Sequence, residues 1–358
     1  MAWFKTSGVS IKGMAAAVPA QKLDAAMLTE RFDENTIEKF IRSTGIASCR
    51  QTREGQTASD LGFAAAVRML DAQGIDRSEI GVLIFVSTSP DYRKPATACV
   101  LQMRLGLPMD CACMDINHGC AGFLYGHQTM QALLQGSDRR FGLLILGETT
   151  SKVIDKAERN SMMFGDAGAA VLYERGGDEP GVTVLKADGR RYRSLIVPAG
   201  GFRDMRPAEE YFVTDDGERH WKYNLFMDGM EIFNFSLSDV LDTIRAYLAE
   251  TGTGAGDYDL FACHQANNYI IQRLTHKLGL PPEKVPICLD RFGNTSSVSI
   301  PLVLCDRYGG SGETGMRRIL ASGFGIGLAW GVTSFFVDPA RILPVSETDE
   351  GYDEGVIR

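Results

Sequence analysis

The chain has 358 residues, with 37 Lys and Arg against 45 Asp and Glu, a formal charge of −8. A composition 44% hydrophobic and 23% charged is that of an ordinary globular protein, and it excludes bulk disorder, collagen and coiled coil. The acidic balance argues against nucleic acid as a partner, because phosphates select clustered Lys and Arg.

The first twenty residues, MAWFKTSGVSIKGMAAAVPA, lack a basic stretch followed by a continuous apolar run. They read as the start of a mature cytosolic protein rather than a signal peptide. Gly81 to Ser87 is a buried strand, Cys99 to Leu105 a helix, Met109 to Ile116 a strand and Ala121 to Leu134 a helix. Phe141 to Leu146 and Ala169 to Tyr173 are further strands. Residues 174–223, rich in Gly, Arg and Asp, read as inserted loops and edge strands. Phe226 to Ala249 is expected as one long helix, Tyr258 to Cys263 as a strand and Asn268 to Leu278 as a helix. Ile319 to Val337 has low charge, but Gly323, Gly325, Gly327 and Gly331 interrupt it. It reads as a buried strand–loop–strand, not a membrane span. Apolar strands separated by helices predict an α/β fold with sheets covered on both faces. The expected division is 1–175 as an N-terminal half, 176–222 as an insertion, 223–340 as a C-terminal half and 341–358 as an acidic tail, mobile from Ser346 on.

The eight cysteines fit neither a zinc site nor a small disulfide scaffold, so most are expected as free, buried thiols. Cys120 differs. In Asp115-Ile116-Asn117-His118-Gly119-Cys120-Ala121-Gly122-Phe123 a strand ends, small residues turn, and a helix follows the Cys. That setting resembles a nucleophile elbow, and a helix N-terminus favours thiolate. A buried structural Cys is the competing reading. His264-Gln265-Ala266-Asn267 follows a strand, where α/β sheets place ligands, though a core His fits equally. Phe292-Gly293-Asn294 reads on its own as an ordinary turn. Gly323-Phe324-Gly325-Ile326-Gly327 can expose backbone N–H groups or merely pack tightly, and it lacks the dinucleotide-loop form.

Taken together and in order, DINHGCAGF, FGDAGAAVLYE, MDGMEIFNF, HQAN, FGNTSS and GFGIGLAWG resemble the β-ketoacyl-acyl-carrier-protein synthase III type of condensing enzyme, over roughly residues 8–337. The resemblance implies a thiolase-like, five-layered αβαβα fold with two pseudo-equivalent halves. It implies Cys120 as the acylated nucleophile, with its own N–H and that of Ile326 as the oxyanion hole. It implies His264 and Asn294 as the pair holding the malonyl thioester oxygen. No metal or redox cofactor is implied; coenzyme A or carrier-protein thioesters are the substrates. Acyl carrier protein and a second copy of the chain are the implied partners, with Phe141–Leu146 and the Lys94 loop as contact elements. Arg159, Lys94, Phe324 and Gly325 are the expected substrate-binding residues. Gln265, Asn267, Tyr269 and Arg273 are the expected carrier-docking residues.

The chain departs from the family at three places. Tyr269 stands where an Arg usually helps dock the carrier, and Lys39 where a Trp usually stacks on adenine. Lys94 stands where an apolar residue usually reaches the partner's acyl pocket, which points to a short or polar acyl group or to a solvent-facing lysine. His118 is expected to face away from Cys120. Two other classes compete: a papain-like hydrolase, because Cys120, His264 and Asn294 occur in that order, and a catalytically silent thiolase-like subunit. Acyl transfer to a hydroxyl or amine is a third use of the same Cys.

Overall fold

A computed structural model describes residues 2–177, 180–215 and 217–353. The strands of the N-terminal half are β1 (Ala2–Thr6), β2 (Val9–Pro19), β3 (Lys22–Asp24), β4 (Ser48–Arg50), β5 (Ile80–Val86), β6 (Ala112–Ile116), β7 (Phe141–Glu148) and β8 (Ala167–Arg175). They are followed by β9 (Gly181–Ala187), β10 (Leu195–Ile196), β11 (Tyr211–Val213), β12 (Arg219–Trp221) and β13 (Phe226–Met227). The last four are β14 (Leu260–Cys263), β15 (Arg317–Gly325), β16 (Ala329–Val337) and β17 (Ser346–Thr348). The helices are α1 (Glu34–Thr44), α2 (Ala58–Gln73), α3 (Thr97–Arg104), α4 (Gly122–Gln135) and α5 (Gly229–Phe235). After them come α6 (Leu241–Thr251), α7 (Asn268–Leu278), α8 (Leu289–Phe292) and α9 (Ser299–Tyr308).

Two large sheets form, ordered β17-β2-β8-β7-β5-β6 and β1-β9-β16-β15-β14. Each contains a parallel pair followed by two antiparallel pairs: β5-β7-β8-β2 in the first, β14-β15-β16-β9 in the second. That shared order is the topological form of the two pseudo-equivalent halves. Strand alternation sorts the apolar residues into layers. Val82, Ile84 and Val86 of β5 join α4, α9 and the second sheet in a central core, while Leu83 and Phe85 face α2 and α3. Phe261, Leu320 and Val332 of the second sheet face α6 and α7. The layers are helix, sheet, helix, sheet, helix, and strands covered on both faces read as continuous apolar runs. No helix among the described residues is long and apolar enough to cross a membrane.

Several expectations are corrected. β1 belongs to the second sheet, and β9, assigned to the insertion, is one of its interior strands. The expected helix from Phe226 is broken: β13 pairs with β10, Asp228 caps α5, and a π-turn at Ser236–Val240 joins it to α6. β7, expected at a subunit contact, is an interior strand with every residue buried; the exposed edge is β6. The tail is docked as far as residue 353: β17 pairs with β2, Arg53 and Gln56 donate to Asp349 and Glu350 carbonyls, and Tyr352 lies over Arg104. Residues 354–358 of the expected tail lie outside the described ones.

Candidate active site

β6 delivers the chain to Asn117–Gly119, and α4 starts two residues after Cys120. The turn closes tightly, with Gly122 N–H donating to Gly119 O at 2.6 Å. The helix can begin here only because residue 122 lacks a side chain: a Cβ would lie 2.7 Å from Val86 and 2.9 Å from Ser297. Gly325, in the β15–β16 hairpin, passes directly over the thiol, and a Cβ there would lie 2.7 Å from Cys120 Sγ. The close approach brings the Ile326 N–H to the sulfur, and the Cys120 N–H faces it as well; both favour the ionised thiol. These are the two backbone donors expected for the oxyanion hole.

His264 ends β14 and is 1% exposed. Its Nδ1 lies 2.8 Å from Ser299 Oγ, which leaves Nε2 as its free ring nitrogen in the cavity it lines. The Phe324 ring packs edge-on against the imidazole. Asn294 is held through its backbone, donating to Met163 O and accepting from Gly165 N–H. Its Oδ1 accepts from Ser296 N–H at 2.9 Å, so the amide NH2 is the end left for a ligand. Cys120, His264 and Asn294 all line one cavity of about 890 Å³, together with Arg159, Asn267, Tyr269, Phe324, Gly325 and Ile326. In a papain-like arrangement the Asn orients the His. Here the two side chains are held by different serines, which removes that reading.

Burial dominates the electrostatics. It pushes the Cys120 thiol up to about 11, against the smaller opposing effects of Ser296 and the two N–H groups. The resting group is therefore a thiol, not the thiolate that the helix N-terminus alone implied. Burial holds His264 down to about 3, so it stays neutral. Glu148, at the end of β7, is raised to about 7 by burial, although Thr88 and Ser297 hydroxyls donate to it.

Three of these residues escaped the sequence reading. Ser296 Oγ lies 3.8 Å from Cys120 Sγ, and Ser296 is the one non-glycine among the described residues with positive φ, at 52°. Such backbone strain gathers at functional sites. Ser299 backs His264, and Glu148 backs Ser297. A lone acid ending the apolar run FGLLILGE was the available signal for Glu148. The serines were hidden in a run, SSVS, that resembles any polar turn.

The peripheral expectations divide. Arg159 is exposed at the cavity mouth, where a second hollow of about 750 Å³ is lined by Lys39, Arg42, Arg159, Asn267 and Tyr269. Asn267 caps α7 by accepting from Ile270 N–H. Tyr269 is exposed and stacks on Phe233, and exposed Arg273 donates to its hydroxyl. Gln265 is corrected: it is fully buried, donating to Cys263 O and accepting from Cys288 N–H, so it cannot touch a carrier protein. Lys94 is exposed and lies outside its own chain's cavity. His118 is turned away from the cavity and stacks on Tyr125.

Comparison with known proteins gives the family. Models of the 3-oxoacyl-acyl-carrier-protein synthase III family match residues 114–190 and, for its C-terminal part, 248–335. A β-ketoacyl-acyl-carrier-protein synthase III of Laribacter hongkongensis is 35% identical over 90% of this chain and 97% of its own. The chain belongs to the β-ketoacyl-acyl-carrier-protein synthase III family. Its members are condensing enzymes of the acyltransferase class. The crystal structure of a 3-oxoacyl-acyl-carrier-protein synthase from Burkholderia xenovorans superposes with a TM-score of 0.89, at 36% identity, covering 97% of this chain and 99% of that one. The priming β-ketosynthase of the R1128 polyketide pathway superposes at 0.80, with 28% identity, over 93% of this chain and 98% of that one.

Proposed function

We propose that this protein joins an acyl thioester to a malonyl-acyl-carrier-protein by decarboxylative Claisen condensation, giving a β-ketoacyl thioester. The observation that carries the reading is the meeting of a helix-end thiol, two backbone N–H groups, an imidazole and a carboxamide in one cavity. Cys120 sulfur attacks the thioester carbonyl, and the departing thiol takes the proton that Cys120 loses. The oxyanion forms against the N–H groups of Cys120 and Ile326. After malonyl thioester enters, its bond to the carboxylate breaks and CO2 leaves. The electron pair develops on the thioester oxygen, where His264 Nε2–H and the Asn294 amide NH2 donate to it. The carbanion attacks the acyl carbon, and Cys120 leaves as thiolate and regains a proton.

Lys39, Arg42 and Arg159 give the mouth positive charge suited to coenzyme A phosphates or an acidic carrier, with Tyr269 and Arg273 on the adjoining face. We infer a homodimer through the exposed edge of β6. The Lys94 loop belongs to that edge, because the Asp115 carboxylate of β6 accepts from the Thr97 and Ala98 N–H groups that end the loop. A cytoplasmic setting is supported by eight cysteines that are all free thiols.

The test is purified protein with an acyl-coenzyme A panel and malonyl-acyl-carrier-protein. The expected result is β-ketoacyl product and CO2 in equal amounts, with the β-ketoacyl product abolished in Cys120→Ala. Acyl transfer to an added alcohol or amine without CO2 release would overturn condensation in favour of simple transfer.

A further inference from the structure

His264 has to donate a hydrogen bond from Nε2 to the developing enolate, and a neutral imidazole carries a single N–H proton. The proton's location is therefore decided at the other ring nitrogen. There Nδ1 meets one group, Ser299 Oγ, at 2.8 Å, with His264 1% and Ser299 0% exposed.

The Ser299 hydroxyl has one hydrogen and two acceptors within reach: His264 Nδ1, and Ser296 O at 2.9 Å. If the hydrogen goes to Ser296 O, then Nδ1 carries the imidazole proton and Nε2 is bare. If it goes to Nδ1, Nε2 carries the proton and can donate. The backbone leaves the hydroxyl free to turn to Nδ1. Ser296 O already accepts the backbone N–H of Ser299, where the 3-10 turn Ser296–Val298 meets α9. The carbonyl keeps that partner when the hydroxyl turns to Nδ1, and the enolate then finds its donor at Nε2.

We propose that Ser299 is a positioning residue whose hydroxyl donates to His264 Nδ1 and so fixes the imidazole with its proton on Nε2. The inference rests on the condensation reading and assigns a residue to its second half alone. Formation of the acyl-enzyme draws on the N–H groups of Cys120 and Ile326 and does not need this tautomer. Ser299 contacts no substrate: it is absent from the cavity wall and acts only through the imidazole.

Two readouts test it. In the nitrogen NMR spectrum of isotope-labelled protein, whose five histidines are few enough to assign, the expected His264 pattern is a bare Nδ1 and a protonated Nε2. A protonated Nδ1 overturns the proposal without any assay of activity. In Ser299→Ala, CO2 release from malonyl-acyl-carrier-protein should fall on the order of tenfold, the worth of one net hydrogen bond, with Cys120 acylation by acetyl-coenzyme A unchanged. Ser299→Thr, which keeps the hydroxyl, should restore it. Wild-type decarboxylation in Ser299→Ala, or equal loss of both half-reactions with no rescue by Thr, overturns the proposal. If the wild type neither acylates nor decarboxylates, the condensation reading falls instead, and the spectrum still decides which way the hydroxyl points.

Discussion

Gly325→Ala is the sharpest local test of how the hairpin meets the nucleophile. A Cβ at that position would lie 2.7 Å from both Cβ and Sγ of Cys120, where ordinary contacts are about 3.5–4.0 Å. One side must move by about 1 Å. Cys120 is fixed by the tight turn into α4, and the hairpin by full pairing of β15 with β16. Whichever moves, the sulfur and the Ile326 N–H separate, and a misplacement of about 1 Å costs roughly 100-fold in rate. The assay is the rate of acyl transfer from acetyl-coenzyme A to the intact protein, read by mass, with a thermal melt beside it to show that the variant is folded. A folded Gly325→Ala protein that acylates at the wild-type rate would refute the idea that this glycine sets the distance between thiol and oxyanion hole.

Asn294→Ala should slow decarboxylation about 100- to 1,000-fold, the range for losing one oxyanion donor, with acylation of Cys120 kept; equal loss in both half-reactions would contradict that division. Glu148 gives a pH prediction. Below pH 4.5 the carboxyl is protonated folded and unfolded alike, so burial carries no penalty there; as pH rises the unfolded chain ionises first, and stability drains away until folded Glu148 ionises near 7. Relative to wild type, Glu148→Gln should match near pH 4.5 and gain on the order of 3 kcal/mol by pH 8 in urea unfolding; a gap that does not widen with pH would contradict the buried neutral acid. Lys94→Phe should shift acyl-chain preference toward longer or wholly apolar donors in a panel of acyl-coenzyme A substrates, and an unchanged preference would leave Lys94 facing solvent in the assembly.

Most of the fold was legible because burial on both faces of a strand leaves an unmistakable run. GVLIFV and FGLLIL each lie within interior strands of the first sheet. What misled was pairing, which a single sequence does not show. GVTVLKA looked like part of a loop-rich insertion because it is flanked by Gly, Asp and Pro, yet it pairs on both sides within the second sheet. SETDE looked like a loose acidic tail, yet its first residues pair with β2 and its carbonyls satisfy Arg53 and Gln56. Within the site, Cys120, His264 and Asn294 each had an ordinary alternative, and their order along the chain gave the resemblance. Gln265 shows the limit of reading a motif whole: within HQAN the His, Ala and Asn line the cavity and the Asn also caps a helix, while the Gln between them is a buried strut. Ser296 and Ser299 take their meaning only from the distances that folding brings about.

The most direct measurement is the mass of the Cys120 peptide after the protein meets an acyl thioester without malonyl carrier. The account predicts one acyl group, on Cys120 and on none of the other seven thiols, removed when malonyl-acyl-carrier-protein is added. An unmodified Cys120 in active protein, or an acyl group stable at another residue, would contradict it.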